Sequence, residues 1–571
     1  MKKWTILALT LSIGVATGCK DEFLDASPKA VLGANNFYNR VGVGYLLTGA
    51  YSLLDGVGAS TTSWHGSADN WVYGSVASDD AYKGSTSGDQ PEISYIEYKA
   101  IQPDNNHFRG KWQAVYDGVA RSNDVLQAVE KATDMSDAEK IQVRAQARFL
   151  RGHYHFEAKK MFNMVPYIDE KTYDPTNLLS TKVPNDKSIW PNIEADFKFA
   201  YDNLPETQSQ KGRSTKWAAA AMLSKAYVFQ QKWVDAKPLL EAIIASGKYS
   251  LMPKYGDNFR AVMNNNTESI FEIQFSVNDG AGGGENGNQG ATLNYPYGGP
   301  TTCCGFYQPA QNLVNAFKTD ATGLPLPTTF NNADVTSDQG VESSNTNFTP
   351  YAGPLDPRLD HSVGRRGIPY LDWGIMPGKS WVRDQANGGP YEGKKHLFYK
   401  SDVGTNTFSG NSRLNANNYR MVRLSHVYLW LAECEIEVGS LEKARDYVNL
   451  IRKRAANVDG FVKLDDGKPA ANYVISQYAA PFADKEAART AVRFEHRLEF
   501  AMEGHRFFDL VRWGIAAETL NAYMAKEARL RSYFNGATFA KGKHEYYPIP
   551  VQEILNSKID GKETLKQNPG Y

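Results

Sequence analysis

The stretch Arg493–Gly514, RFEHRLEFAMEGHRFFDLVRWG, interleaves charged and aromatic residues along what its spacing reads as a helix. Its acids Glu495, Glu499 and Glu503 recur every four residues, which places them on one helical stripe over 493–509. Like charges at that spacing repel, so the stripe demands cations. Arg497, Arg506 and arginines from neighbouring helices are the available partners. Glu503-Gly504-His505-Arg506 holds residue types used in acid–base chemistry, but an ion-pair network bracing helices is the better reading. The stretch therefore predicts a mainly α protein whose helices are tied together by charge.

Working outward, helical periodicity dominates both ends of the chain. Trp112, Val115, Tyr116, Val119, Val125, Leu126 and Val129 recur at three- to four-residue spacing within 108–132. Ser136 followed by Glu139 is a capping box, which starts a second helix that runs to about Phe162 and stops before Pro166. Further helices are expected near 187–203, 215–231, 233–246, 422–438 and 440–456. Leu223, Ala226, Trp233, Ala236, Leu240 and Ile243 share their offsets with Leu431, Cys434, Leu441, Ala444, Val448 and Ile451. Each set spans a helix, a tight turn and a second helix, with small residues where the partners cross. This is the logic of a tetratricopeptide-like hairpin, whose repeats stack into a curved scaffold. The segment 256–415 reads differently. It is rich in Gly, Asn, Pro and Tyr and offers only short strands such as 269–277, so it is expected to be an irregular lobe. The expected organisation is thus an N-terminal helical region over 31–255, the lobe, and a C-terminal helical region over 416–571, together one compact unit.

The N-terminus carries an address. Lys2 and Lys3 precede an apolar run from Trp4 to Val15, and Ala16-Thr17-Gly18 leads to Cys19. That is the layout of a signal peptide over 1–18, with too short an apolar run for a mature membrane span. The Gly18-Cys19 junction resembles a bacterial lipobox, with Ala16 where Leu is commoner, so Cys19 is expected to be lipidated and 19–30 to act as a tether. Lys20-Asp21-Glu22 resembles the surface-export tag of Bacteroidetes lipoproteins. Lys plus Arg and Asp plus Glu both total 63, and this zero net charge argues against non-specific nucleic-acid binding, which needs a cationic surface. The four cysteines allow neither a disulfide framework nor a zinc site.

Several segments together resemble the SusD/RagB family. They are Leu355-Asp356-Pro357-Arg358-Leu359, the helix from Arg423 to Glu433, the following segment Gly439 to Ala455, and Arg493–Gly514 itself. Tyr547-Pro548-Ile549-Pro550 and Gln567-Asn568-Pro569-Gly570-Tyr571 complete the set, with the Pro-rich ends expected to pack as extended chain over the helices. The resemblance implies a tetratricopeptide-like scaffold crossed by a loop-rich lobe. It also implies an outer-membrane lipoprotein on the extracellular face that binds oligosaccharide or polysaccharide and serves a SusC-like TonB-dependent transporter, closing over its mouth like a lid. Some members of the RagB branch handle peptides, which is the alternative ligand. No cofactor is implied.

Sugars are held by stacking a ring on an aromatic face while planar polar side chains bond the hydroxyls. Two regions offer that mixture. The first comprises Trp64, Asp69, Asn70, Trp71 and Tyr73, with Tyr82 following; a helix-linking loop with packed tryptophans is the competing reading. The second runs from Tyr297 through Cys303, Cys304 and Tyr307, with Trp373, Trp381, Arg383 and Tyr391 later. Adjacent cysteines in an exported protein either form a vicinal disulfide or stay reduced. The two regions are expected to converge on one pocket. An exported glycan-degrading enzyme is the competing class, since a glycosidase needs only two carboxylates, but no H-E-x-x-H, G-x-S-x-G or P-loop pattern is present. A purely structural transporter subunit is a third class. His153 and His155, at i, i+2 on a helix, point to different faces and disfavour a shared metal, and the loop from Asp279 to Asn288 lacks the ligand rhythm of a calcium site.

Overall fold

The computed structural model describes residues 34–58 and 63–571, so the expected signal peptide 1–18, Cys19 and the tether 19–30 lie outside the described residues. The longer helices are α1 (Arg40–Ser52), α2 (Asn106–Lys131), α3 (Asp137–Phe162), α4 (Trp190–Asn203), α5 (Lys216–Phe229), α6 (Trp233–Ala245), α7 (Leu424–Val438), α8 (Leu441–Ala455) and α9 (Lys485–Glu499), with the short α10 (Arg506–Arg512); all but α1 fall on segments with helical periodicity. The capping box at the start of α3 is complete: Ser136 accepts from the Glu139 N–H, and the Glu139 carboxylate accepts from the Ser136 N–H at 2.9 Å. From α2 to α8 each helix packs on the next, and α6 lies against α7 across the long intervening segment. The hairpins α5/α6 and α7/α8 therefore stack directly. Ala226, Ala236, Cys434 and Ala444 are wholly buried at their crossings, where small side chains let backbones approach.

The irregular segment between α6 and α7 is fastened at its ends by a strand pair. Here β2 (Ser269–Ile273) runs antiparallel to β4 (Tyr419–Arg423), with Ser269 opposite Arg423 and Ile273 opposite Tyr419. A second antiparallel pair joins β1 (Ala81–Gly84) to β3 (Phe306–Pro309), with Tyr82 opposite Gln308. This pair draws the two candidate ligand regions together. One contiguous apolar core includes residues from Leu47 to Leu565. The C-terminal segments cover the end of α3: the Tyr547 N–H donates to the Met161 carbonyl at 2.9 Å, and the Asn568 amide donates to the Phe162 carbonyl at 2.9 Å. Those carbonyls have no partner within the helix, so the Tyr547–Pro550 and Gln567–Tyr571 motifs serve as its external cap.

The stretch Arg493–Gly514 departs from its expected course. Helix α9 ends at Glu499, and Met502 and Gly504 take positive φ of 60° and 78°. A Cβ on Gly504 would stand 1.6 Å from the Asp69 carbonyl oxygen, so only glycine permits this contact. Glu503 therefore sits in a turn, off the helical stripe. Arg497 and Arg506 are not its partners either; they hold Asp79 and Asp80 of the N-terminal half, with Arg497 Nε 2.9 Å from Asp80 and Arg506 Nε 2.8 Å from Asp79.

The three glutamates instead enter a buried cluster in which five carboxylates (Glu268, Asp356, Glu495, Glu499, Glu503) face five cations (Arg358, Lys395, Arg423, Arg452, Arg454). Arg358 reaches Asp356 at 2.7 Å, Glu495 at 2.7 Å and Glu499 at 3.0 Å. Arg423 bridges Glu268 at 2.9 Å and Glu503 at 3.0 Å, and also touches Glu499. The network thus clamps the lobe, β4, α8 and α9 to one another. Its charges balance, as burial requires.

Candidate functional site

Of the first expected region, most residues are core. Trp71, Tyr73 and Tyr82 are at most 1 % exposed, so their rings present no face to a ligand in solvent. Trp71 packs 5.6 Å from the Tyr307 ring centroid and donates Nε1–H to the Gly290 carbonyl at 3.1 Å. The Tyr73 hydroxyl lies 2.7 Å from the carbonyls of His65 and His107. Tyr82 donates to Glu527 at 2.8 Å beneath the Arg531 guanidinium. Asp69 is buried, which raises its carboxyl pKa, and it accepts from Ser67 Oγ at 2.7 Å and the Trp71 N–H at 3.2 Å. Asn70 takes φ 51° and donates to Glu157 at 3.1 Å. Trp64 is half-buried against the same core. In the second region Tyr307 and Tyr391 are also buried, their hydroxyls bonded to Ser75 and Gln311. The structure brings Trp71 and Tyr307 together inside the protein, where aromatic rings with satisfied hydroxyls fill the β1–β3 junction rather than line a pocket.

The open face lies at the edge of that junction. Tyr297 is 45 % exposed, and the Arg383 guanidinium carbon stands 5.0 Å from its ring centroid. Arg383 Nη1 donates to Ser85 Oγ at 2.6 Å, to Asp89 at 2.6 Å and to the Cys304 carbonyl at 3.3 Å. The Tyr297 N–H donates to the Trp381 carbonyl at 2.9 Å, which brings the half-buried Trp381 beside Tyr297. The Trp381 ring lies over Gly299, where a Cβ would come within 2.2 Å of it. Behind them Trp381 meets Tyr370 edge-on at 5.4 Å, and Trp373 donates its indole N–H to the Phe398 carbonyl at 3.2 Å. Both tryptophans flank one small apolar cluster, which fixes their orientation. Cys303 and Cys304 are joined as a vicinal disulfide, and Arg413 Nη1 stands 3.3 and 3.4 Å from the two sulfurs. Tyr297, Trp381, Arg383, Arg413, Asp89 and the disulfide thus make one partly exposed surface of rings and planar polar groups.

Ser85, Asp89 and Arg413 were not among the expected contacts. The run Ser85-Thr86-Ser87-Gly88-Asp89 directly after β1 is a polar loop signal that points to Ser85 and Asp89; nothing comparable marks Arg413. In the Gly-rich loop, Asp279 accepts hydrogen bonds from Ser276, the Ala281 N–H and Asn286, which hold its carboxyl at about 2.

Comparison with known proteins bears on this architecture. Residues 267–571 match the model of the SusD family, and residues 22–228 match a family described as starch-binding and associating with the outer membrane. The chain belongs to the SusD/RagB family. A SusD-like protein of Formosa agariphila is 24% identical over 100% of both chains. The starch-binding protein SusD of Bacteroides thetaiotaomicron is 22% identical over 78% of this chain and 75% of its own. Among solved structures, a laminarin-binding SusD-like protein superposes with a TM-score of 0.67 at 23% identity, covering 93% of this chain and 100% of its own. Surface glycan-binding protein A of Bacteroides thetaiotaomicron, in complex with laminarihexaose, gives 0.64 at 21% identity over 93% and 99%. These likenesses show that the SusD-like protein fold is shared along nearly the whole chain.

Proposed function

We propose that this SusD-like protein is a cell-surface lipoprotein that captures glycan on the Tyr297–Trp381–Arg383 face and passes it to a SusC-like TonB-dependent transporter. The observation that carries the reading is the half-exposed Tyr297 ring beside Trp381, backed by an arginine whose position is fixed by Ser85 and Asp89. Such a surface gives the apolar face of a sugar ring a partner and its hydroxyls rigid donors and acceptors. Relatives named for starch, laminarin and laminarihexaose support the ligand class. The lipobox-like junction and the outer-membrane description of the matching family support lipidation at Cys19 and exposure outside the cell. Binding requires no chemistry here: Asp89, the carboxylate on the face, is committed to Arg383 and Ser85.

The test is calorimetric titration of the chain from residue 20 with laminarin, starch, other polysaccharides and peptides, with each mixture analysed for breakdown products. Saturable binding of one glycan class without turnover is the expected result. Binding of peptides alone would move the protein to a peptide-uptake role, and turnover would make it an enzyme.

A further inference from the structure

Three of the four arginines in Arg493–Gly514 are neutralised by carboxylates: Arg497 by Asp79 and Asp80, Arg506 by Asp79, and Arg512 by Glu433 and Asp509. Arg493 differs. Among the described residues it makes no ion pair and no hydrogen bond, and its half-buried guanidinium rests 5.5 Å from the Trp513 ring centroid. It opens on a cavity of about 280 Å³ between α6, α7 and α9, lined also by Gln231, Trp233, Glu437, Glu486 and Arg489.

The walls of this cavity are held rigid. Arg489 grips Glu437 through two bonds of 2.8 and 2.9 Å. Glu433, behind Arg493, is fixed by Arg512 through two bonds of 2.7 Å and by the Trp513 indole N–H at 2.9 Å. Gln231 sits in the α5–α6 turn at φ 58°, a conformation that side-chain-bearing residues disfavour. Its Nε2 donates to the Arg512 carbonyl at 3.1 Å, which ties the turn to the cavity wall. Glu433, Glu437 and Glu486 line the space together with Arg489 and Arg493, so charges of both signs face it and their fields partly cancel. That arrangement suits hydroxyl groups, which donate and accept, better than a formal charge. The volume matches one sugar ring, and Trp233, half-buried at the start of α6, supplies an apolar wall.

We infer that this cavity is a second saccharide-binding site, taking one pyranose of a neutral glycan against Trp233, with Arg493 and Gln231 bonding its hydroxyls. It shares no residue or helix with the Tyr297 face, so a polymer gains two points of attachment on one molecule and binds with higher avidity than either site provides. The inference rests on the glycan-binding reading, and the experiment separates the two.

Laminarihexaose and maltohexaose are titrated calorimetrically into the intact protein and into Trp381→Ala, Arg493→Met and Gln231→Gly variants, with thermal melts as folding controls. Gln231→Gly suits the positive φ and removes the whole side chain, including its bond to the Arg512 carbonyl, so the thermal melt checks that the turn stays in place. The wild type is expected to bind two hexasaccharides per chain. Trp381→Ala leaves the site at Arg493; Arg493→Met weakens that site by about tenfold or more, the loss expected for a charge-assisted hydrogen bond, and Gln231→Gly by about three- to tenfold, the loss of a neutral one. Wild-type stoichiometry and affinity in both Arg493→Met and Gln231→Gly would overturn the inference. Binding that Arg493→Met reduces and Trp381→Ala leaves intact supports the second site and removes the Tyr297 reading. Absence of binding in every protein overturns both.

Discussion

Glu499 touches Arg358, Arg423 and Arg454 at once, in a site with no water-exposed side. Burial alone would raise its pKa, but the three guanidiniums outweigh burial and hold it well below the ordinary carboxylate range. Glu499→Gln leaves those cations short of one charge, and unfolding in denaturant should show a loss of about 3–5 kcal/mol, typical of a broken buried pair. Glu503 behaves alike: burial pushes it up, Arg423 and Lys395 bring it down to about 2 from 4.5. The unfolded chain then takes up this proton first as pH falls. Its contribution is full above about pH 4.5 and is lost on the way to about pH 2, so stability measured across that window should decline, and less steeply in Glu503→Gln. The need of these glutamates for cations was legible in their four-residue spacing. Their individual partners were not, because Arg358, Lys395, Arg423 and Arg454 come from segments that only tertiary folding brings together.

At the scale of elements, the two stacked hairpins depend on small residues at their crossings. Ala226 and Ala444 have no exposed surface, so Ala226→Leu or Ala444→Leu should overpack the contact and cost about 1–3 kcal/mol in thermal or chemical unfolding. Ser136→Ala should cost about 1 kcal/mol, because it removes the side chain that caps α3. These helices were legible because apolar residues recur with the helical period and caps mark their starts. Helix α1 is not legible in the sequence: its glycines at 42, 44 and 49 obscure the pattern, and Gly42 is there because a Cβ would come within 2.4 Å of the Phe37 Cα. The lobe carries no period at all, since its backbone is held by turns and side-chain bonds rather than by repeating ladders. The end of α9 was misplaced because nothing in the four-residue spacing shows that Gly504 must meet the Asp69 carbonyl.

For the whole molecule, a helical scaffold carries an irregular lobe whose edge displays rings and fixed polar groups. The sequence composition of a sugar-binding face and of a polar-edged aromatic core is the same, which is why Trp71, Tyr73, Tyr82 and Tyr307 read as candidates and turned out to be interior. Burial separates the two cases, and burial is a property of the fold. Trp381→Ala should lower glycan affinity by about thirtyfold, as for an aromatic anchor at the centre of an interface, while a thermal melt still shows a folded protein, lowered only by the packing lost against Tyr370. The most direct test of the account is a crystal structure of the protein with the glycan that binds tightest in solution. Density for a sugar ring against Tyr297 and Trp381, with hydroxyls bonded to Arg383 or Asp89, is the predicted result; a glycan bound elsewhere, with this face empty, would contradict it.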